Sequence, residues 1–157
     1  MRVFTIVCGL IALITSASAF AEGDDRVPPI KDALVQKECG TCHMAFQPAF
    51  LPARSWNRIM DELPKHFGED ASLPADKTKA IRDYLTANAS DSVSKYQRYG
   101  HRSELAANET PIKITETPSF IRKHRFSDRV WKDPKVMTKS NCPACHVAAD
   151  KGLYEDD

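Results

Sequence analysis

The sequence predicts a mainly α-helical protein whose helices crowd into its first half, followed by an irregular, helix-poor second half. Three observations carry this reading. Trp56, Ile59, Met60 and Leu63 recur at i, i+3, i+4 and i+7, the buried stripe of an amphipathic helix. A second helix is expected in "SLPADKTKAIRDYLTANAS", where Ile81, Tyr84, Leu85 and Asn88 share a face. From residue 91 onward the chain turns polar and loses any sustained period, as in "SDSVSKYQRYGHRSELAANETP".

The elements follow in order. Residues 1–21 read as a secretory signal peptide: Arg2, then an apolar or small run from Val3 to Ile14, then Ala17, Ala19 and Ala21 in A-x-A order. Cleavage is expected after Ala21, with Ala19 as the alternative, and the periplasm is the expected compartment. The apolar run is shorter than the roughly 20 residues of a membrane span, so no stable membrane insertion is expected once it is removed. Cys8 lies inside that run and lacks the small residues of a lipobox. Next, "PPIKDALVQKEC" places Ile30, Ala33 and Leu34 on one face of a first helix. In the second expected helix, Ser72 is the candidate N-cap with Pro74 in the first turn. Past the connector, Pro118 is suited to start a short helix that puts Phe120 and His124 on one face.

Loss of the leader leaves 21 basic and 21 acidic residues, since it contains Arg2 and no acid. A formally neutral chain lacks the cationic excess that nucleic-acid binding needs. The low apolar content and 10 prolines imply a thin core for this length. Something besides side chains would help to fill it.

The leader also takes Cys8, so four cysteines remain, all within two pentapeptides: "CGTCH" (39–43) and "CPACH" (142–146). Cys-x-x-Cys alone fits a redox disulfide, a zinc site or covalent haem attachment. A redox disulfide would sit beside a βαβ pattern, which is missing here. The adjoining histidine favours haem. Two thiols at i and i+3 share one helical face and suit the two vinyl groups along a macrocycle edge. The next imidazole then reaches the iron as its fifth ligand. Two c-type haems are therefore expected, attached through Cys39 and Cys42, and through Cys142 and Cys145, with His43 and His146 as proximal iron ligands.

The sixth ligands are sought among His66, His101, His124, Met44, Met60 and Met137. Met44 adjoins His43 and cannot reach the opposite haem face, and Met60 belongs to the buried stripe. His66 follows Pro64 where that helix ends, and is the candidate for the first haem; a solvated surface histidine is the alternative. For the second haem, only 11 residues follow His146, and they hold no His or Met. Its ligand must come from upstream. His124 is the candidate, with His101, Met137 or an open position as alternatives.

Residues 26–90 thus run helix, attachment site, loop, helix, ligand turn and closing helix, an order similar to class I cytochromes c. The departure is His66, because class I domains usually supply methionine there. The expected domains are 22–90, a class I-like haem domain, and 91–157, a C-terminal haem domain whose distal ligand precedes its attachment site.

The blocks "WNRIMDELPKHFGEDASL", "ETPSFIRKH" and "NCPACHVAADKGLYED" resemble those of the small bacterial dihaem cytochromes c, electron-transfer partners of an oxygen-binding sphaeroides-type haem protein. This resemblance spans nearly the whole mature chain. It implies two bis-His haems, with His66 and His124 matching the distal positions. It also implies electron exchange with a soluble oxygen-binding cytochrome or a membrane b-type cytochrome. With both axial faces filled and no nucleophile motif or phosphate loop, the chain is expected to carry electrons and to be no enzyme. The rival readings are a dihaem peroxidase-like enzyme and the small electron-donor subunit of a periplasmic reductase. Four haem propionates would make the holoprotein acidic, against which "KYQRYGHR" and "IRKHR" offer basic clusters, for docking an acidic partner or simply as solvated faces.

Overall fold

A computed structural model describes residues 26–92 and 105–154. The expected leader and His101 lie outside the described residues. Helices dominate, and no strand longer than an isolated bridge occurs among the described residues.

Helix α1, Ala33–Cys39, begins where the Asp32 side chain accepts hydrogen bonds from the Leu34 and Val35 amides, both at 2.9 Å. Such a cap satisfies two of the four orphan N–H groups of a helix start. Ile30 therefore lies before the helix and not on its face, although it is buried as expected. Helix α2, Ala53–Asp61, buries Trp56 and Met60, and the stripe continues into a short 3-10 turn, Leu63–Lys65, with Leu63. Ile59 is only partly covered. The Trp56 indole donates to the Pro48 carbonyl at 2.9 Å, which removes the cost of burying its N–H.

Helix α3, Ala75–Ala87, packs on α2 and buries Ile81 and Leu85. Its N-cap position is Pro74, not Ser72. The Ser72 amide instead closes a turn onto the Asp70 carboxylate at 2.9 Å, ahead of the helix start. Arg82 reaches Asp61 on α2 at 2.7 Å, and Lys77 reaches Glu38 on α1 at 2.8 Å. The Lys77 hydrogen bond holds the Glu38 carboxyl below its ordinary range.

One apolar core joins these three helices: Ile30, Val35, Leu51, Trp56, Met60, Leu63, Ile81, Leu85 and Ala89. The second half contributes little to it. Helix α4, Pro118–Lys123, spans 6 residues and α5, Asp128–Trp131, only 4. Thr117 caps α4, with Pro118 as its first residue. Among the described residues beyond 105, only Val136 and Ala149 are buried apolar residues. A half so short of core needs an added apolar body to hold its shape.

The two halves meet along a seam. Val27 donates to the Gly152 carbonyl at 2.8 Å, and Arg26 pairs with Leu153. Gly152 adopts φ +78°, and a Cβ there would lie 2.0 Å from the Val27 carbonyl oxygen. Only glycine fits. No helix among the described residues is long and apolar enough to cross a membrane.

Candidate haem-binding sites

The first attachment motif starts on the last residue of α1, so Cys39 is delivered by the helix while Cys42 and His43 follow in the turn after it. The His43 ring lies beside Phe46, with centroids 5.0 Å apart. Its Nδ1 donates to the Met44 carbonyl at 2.8 Å when Nε2 is left as the acceptor. That hydrogen bond fixes the tautomer a metal ligand needs.

His66 faces it from the turn beyond α2. Phe67 and Gly68 both take positive φ, +50° and +104°, so the chain reverses sharply and Glu69 donates back to the His66 carbonyl at 3.0 Å. A bulky residue in the left-handed region marks local strain, which is stored where function requires a fixed geometry. Burial, and then the nearby His43, lower the His66 pKa and favour the neutral imidazole. The ring centroids of His43 and His66 stand 6.1 Å apart, with planes inclined by 21°.

The second site is assembled in reverse chain order. His124 caps the C-terminus of α4, lies parallel to Phe120 at 3.9 Å, and has its Nδ1 3.0 Å from the Phe120 carbonyl. A 3-10 turn, Cys142–Ala144, carries the second motif, and the His146 amide donates to the Cys142 carbonyl at 2.8 Å. His124 and His146 lie 6.0 Å apart, with planes 82° apart. Tyr154 meets the His146 ring edge-on at 5.4 Å.

The two separations test whether a haem fits. A metal–imidazole bond of about 2 Å, plus about 1 Å from each nitrogen to its ring centre, puts centroids across one metal about 6 Å apart. Both pairs meet that span. The four cysteines of the two motifs form no disulfide, as thioether attachment requires. Burial pushes the Cys39 and Cys142 thiols above their ordinary pKa, in keeping with apolar surroundings. A cavity of about 610 Å³ opens beside Cys42 and His43, a size suited to a large ligand. Pro143 and Asp150 of the second motif's loop also line it, so the two sites adjoin.

The alternatives fare differently. Met60 is core, Met44 flanks His43, and Met137 stands 76% exposed. Among the described residues, no three His, Cys, Asp or Glu side chains converge as a zinc site would need. Sequence reasoning missed Gln47 and Tyr154. Nothing in their spacing signals a link, because they are far apart in the chain and meet only through the seam.

The Dihaem cytochrome c family model matches residues 35–154. A diheme cytochrome c from Rhodobacter sphaeroides is similar at 44% identity, with 81% of this chain and 99% of that chain covered and a TM-score of 0.71. A diheme cytochrome c from Shewanella baltica is similar at 36% identity, over 78% of this chain and 86% of that chain, with a TM-score of 0.63. No functionally curated protein matches. The chain belongs to the dihaem cytochrome c family and carries two c-type haems.

Proposed function

We propose that this protein is a periplasmic electron carrier in which each haem iron is held between two histidines: His43 and His66 for the first, His146 and His124 for the second. Cys39 and Cys42, and Cys142 and Cys145, form the thioether links. The observation that carries the reading is the pair of facing imidazoles in each half, 6.1 Å and 6.0 Å between centroids.

The bound haems supply one-electron exchange between ferric and ferrous iron. The chain's own residues set the terms of that exchange. His43 and His124 each point Nδ1 at a backbone carbonyl, a hydrogen bond that makes Nε2 the metal-binding nitrogen and raises its basicity. Histidine in place of methionine at the sixth position lowers the potential. With both axial faces occupied, no position remains for oxygen, peroxide or a substrate, so the protein relays electrons without catalysing a reaction. The adjoining sites, which share the cavity lined by Cys42 and Pro143, favour passage from one haem to the other. A soluble oxygen-binding cytochrome or a membrane b-type cytochrome is the proposed redox partner, and the signal-peptide pattern of residues 1–21 supports a periplasmic setting for the exchange.

Carbon monoxide tests the reading. The reduced, undenatured protein should show no change in its Soret band under carbon monoxide. A shift would reveal an open or labile position and favour a dihaem peroxidase-like enzyme. Mass spectrometry of the periplasmic fraction should find the chain without residues 1–21 and with two haems added.

A further inference from the structure

The four proposed axial histidines are not held alike. His43 and His124 each have a backbone carbonyl within hydrogen-bond distance of Nδ1, at 2.8 Å and 3.0 Å. The His146 Nδ1 is buried and has no hydrogen-bond partner among the described residues. A metal-bound imidazole ordinarily has its orientation fixed by such a bond. Here the ring is met instead by the edge of Tyr154, 5.4 Å away at 64°.

Tyr154 is itself braced from the other half of the molecule. Its hydroxyl donates to Gln47 Oε1 at 2.5 Å, and Gln47 Nε2 donates to the Ala149 carbonyl at 2.7 Å. Gln47 is fully buried, so each of these bonds is one it cannot replace with water. Phe50 meets the Tyr154 ring in an edge contact at 5.1 Å. Ala149 also receives no freedom, since it is fully buried and its amide donates to the His146 carbonyl at 3.0 Å.

We infer that Tyr154, clamped by Gln47, is the positioning residue that orients His146 on the second haem. It does by packing what a hydrogen bond does for His43 and His124. Gln47 sits on the loop that follows His43, so the clamp ties the orientation of the second haem's proximal ligand to the first haem's loop. This inference rests on the axial assignment of His146.

Electron paramagnetic resonance of the ferric holoprotein, with redox titration, tests it on Tyr154→Leu, Tyr154→Phe and Gln47→Leu. Tyr154→Leu removes the ring and should shift the g values and midpoint potential of the second haem while leaving those of the first unchanged. Tyr154→Phe keeps the ring but frees it from Gln47, and should broaden the second signal without displacing it; Gln47→Leu should do the same. Unchanged position and width of the second signal in Tyr154→Leu overturn the inference. Should that variant fail to accumulate with haem, an unbroadened second signal in both other variants overturns it equally. A high-spin second haem in the unmodified protein overturns the axial assignment and the inference together, whereas two low-spin parent signals with insensitive variants overturn the inference alone.

Discussion

His43 and His66 hold their ring planes within 21° of each other, whereas His124 and His146 are turned through 82°. Each pair spans about the same distance, so the two differ in the angle between their ring planes. Near-parallel imidazoles lift the degeneracy of the iron orbitals that π-bond to them, and near-perpendicular ones leave those orbitals close in energy. The ferric protein should therefore give two unlike low-spin resonance signals: a rhombic one from the first haem and a highly anisotropic one, with a single large g value, from the second. Two rhombic signals would contradict the geometry of the second pair.

Replacing His66 by methionine exchanges a nitrogen donor for a thioether. Methionine ligation raises haem potentials. The His66→Met variant should raise the first haem's midpoint by a sizeable part of the roughly 0.8 V over which axial ligands act. The second haem should move far less. Redox titration followed by absorption separates the two.

Gly68 permits the reversal that presents His66. A Cβ added there meets nothing within 4 Å, so any cost of Gly68→Ala comes from its φ of +104° alone. An L-residue held in such a region costs about 1–3 kcal/mol. Thermal unfolding should register that loss, and the first haem's low-spin signal should weaken while the second persists. No loss would mean that the turn relaxes without strain.

The second half should depend on its haem more than the first. Among the described residues beyond 105, Val136 and Ala149 alone are buried apolar residues, against the nine-residue core around α2 and α3. Cys142→Ala combined with Cys145→Ala should abolish hydrogen-exchange protection in residues 118–154 and preserve it in α2 and α3. Equal protection in both halves would show that the second half folds without its macrocycle.

Much of this arrangement was legible in the residues. The i, i+3, i+4, i+7 pattern of Trp56 to Leu63 located α2 because burial of one helical face repeats locally. Pro118 located α4 because proline suits a first helical turn, and the spacing of Phe120 and His124 put them on one face, where they meet at 3.9 Å although His124 lies just past the helix as its C-cap. Ser72 misled because it belongs to a turn closed on the Asp70 side chain, and the helix starts only after Pro74. Ile30 was rightly expected to be buried but wrongly assigned to the helix, since Asp32 caps the chain after it. The Gln47–Tyr154 bond was illegible for a different reason. It joins residues 107 apart in sequence, and a polar pair of that kind has no period to announce it. Ring orientation was equally hidden, because it follows from the backbone of the turns at His66 and His146.

The axial assignment is tested most directly by near-infrared magnetic circular dichroism of the ferric holoprotein, whose charge-transfer bands distinguish bis-imidazole from histidine–methionine and high-spin iron. Both haems should fall in the bis-imidazole band. Intensity at the histidine–methionine position, or a high-spin band from either haem, would contradict the account for that centre.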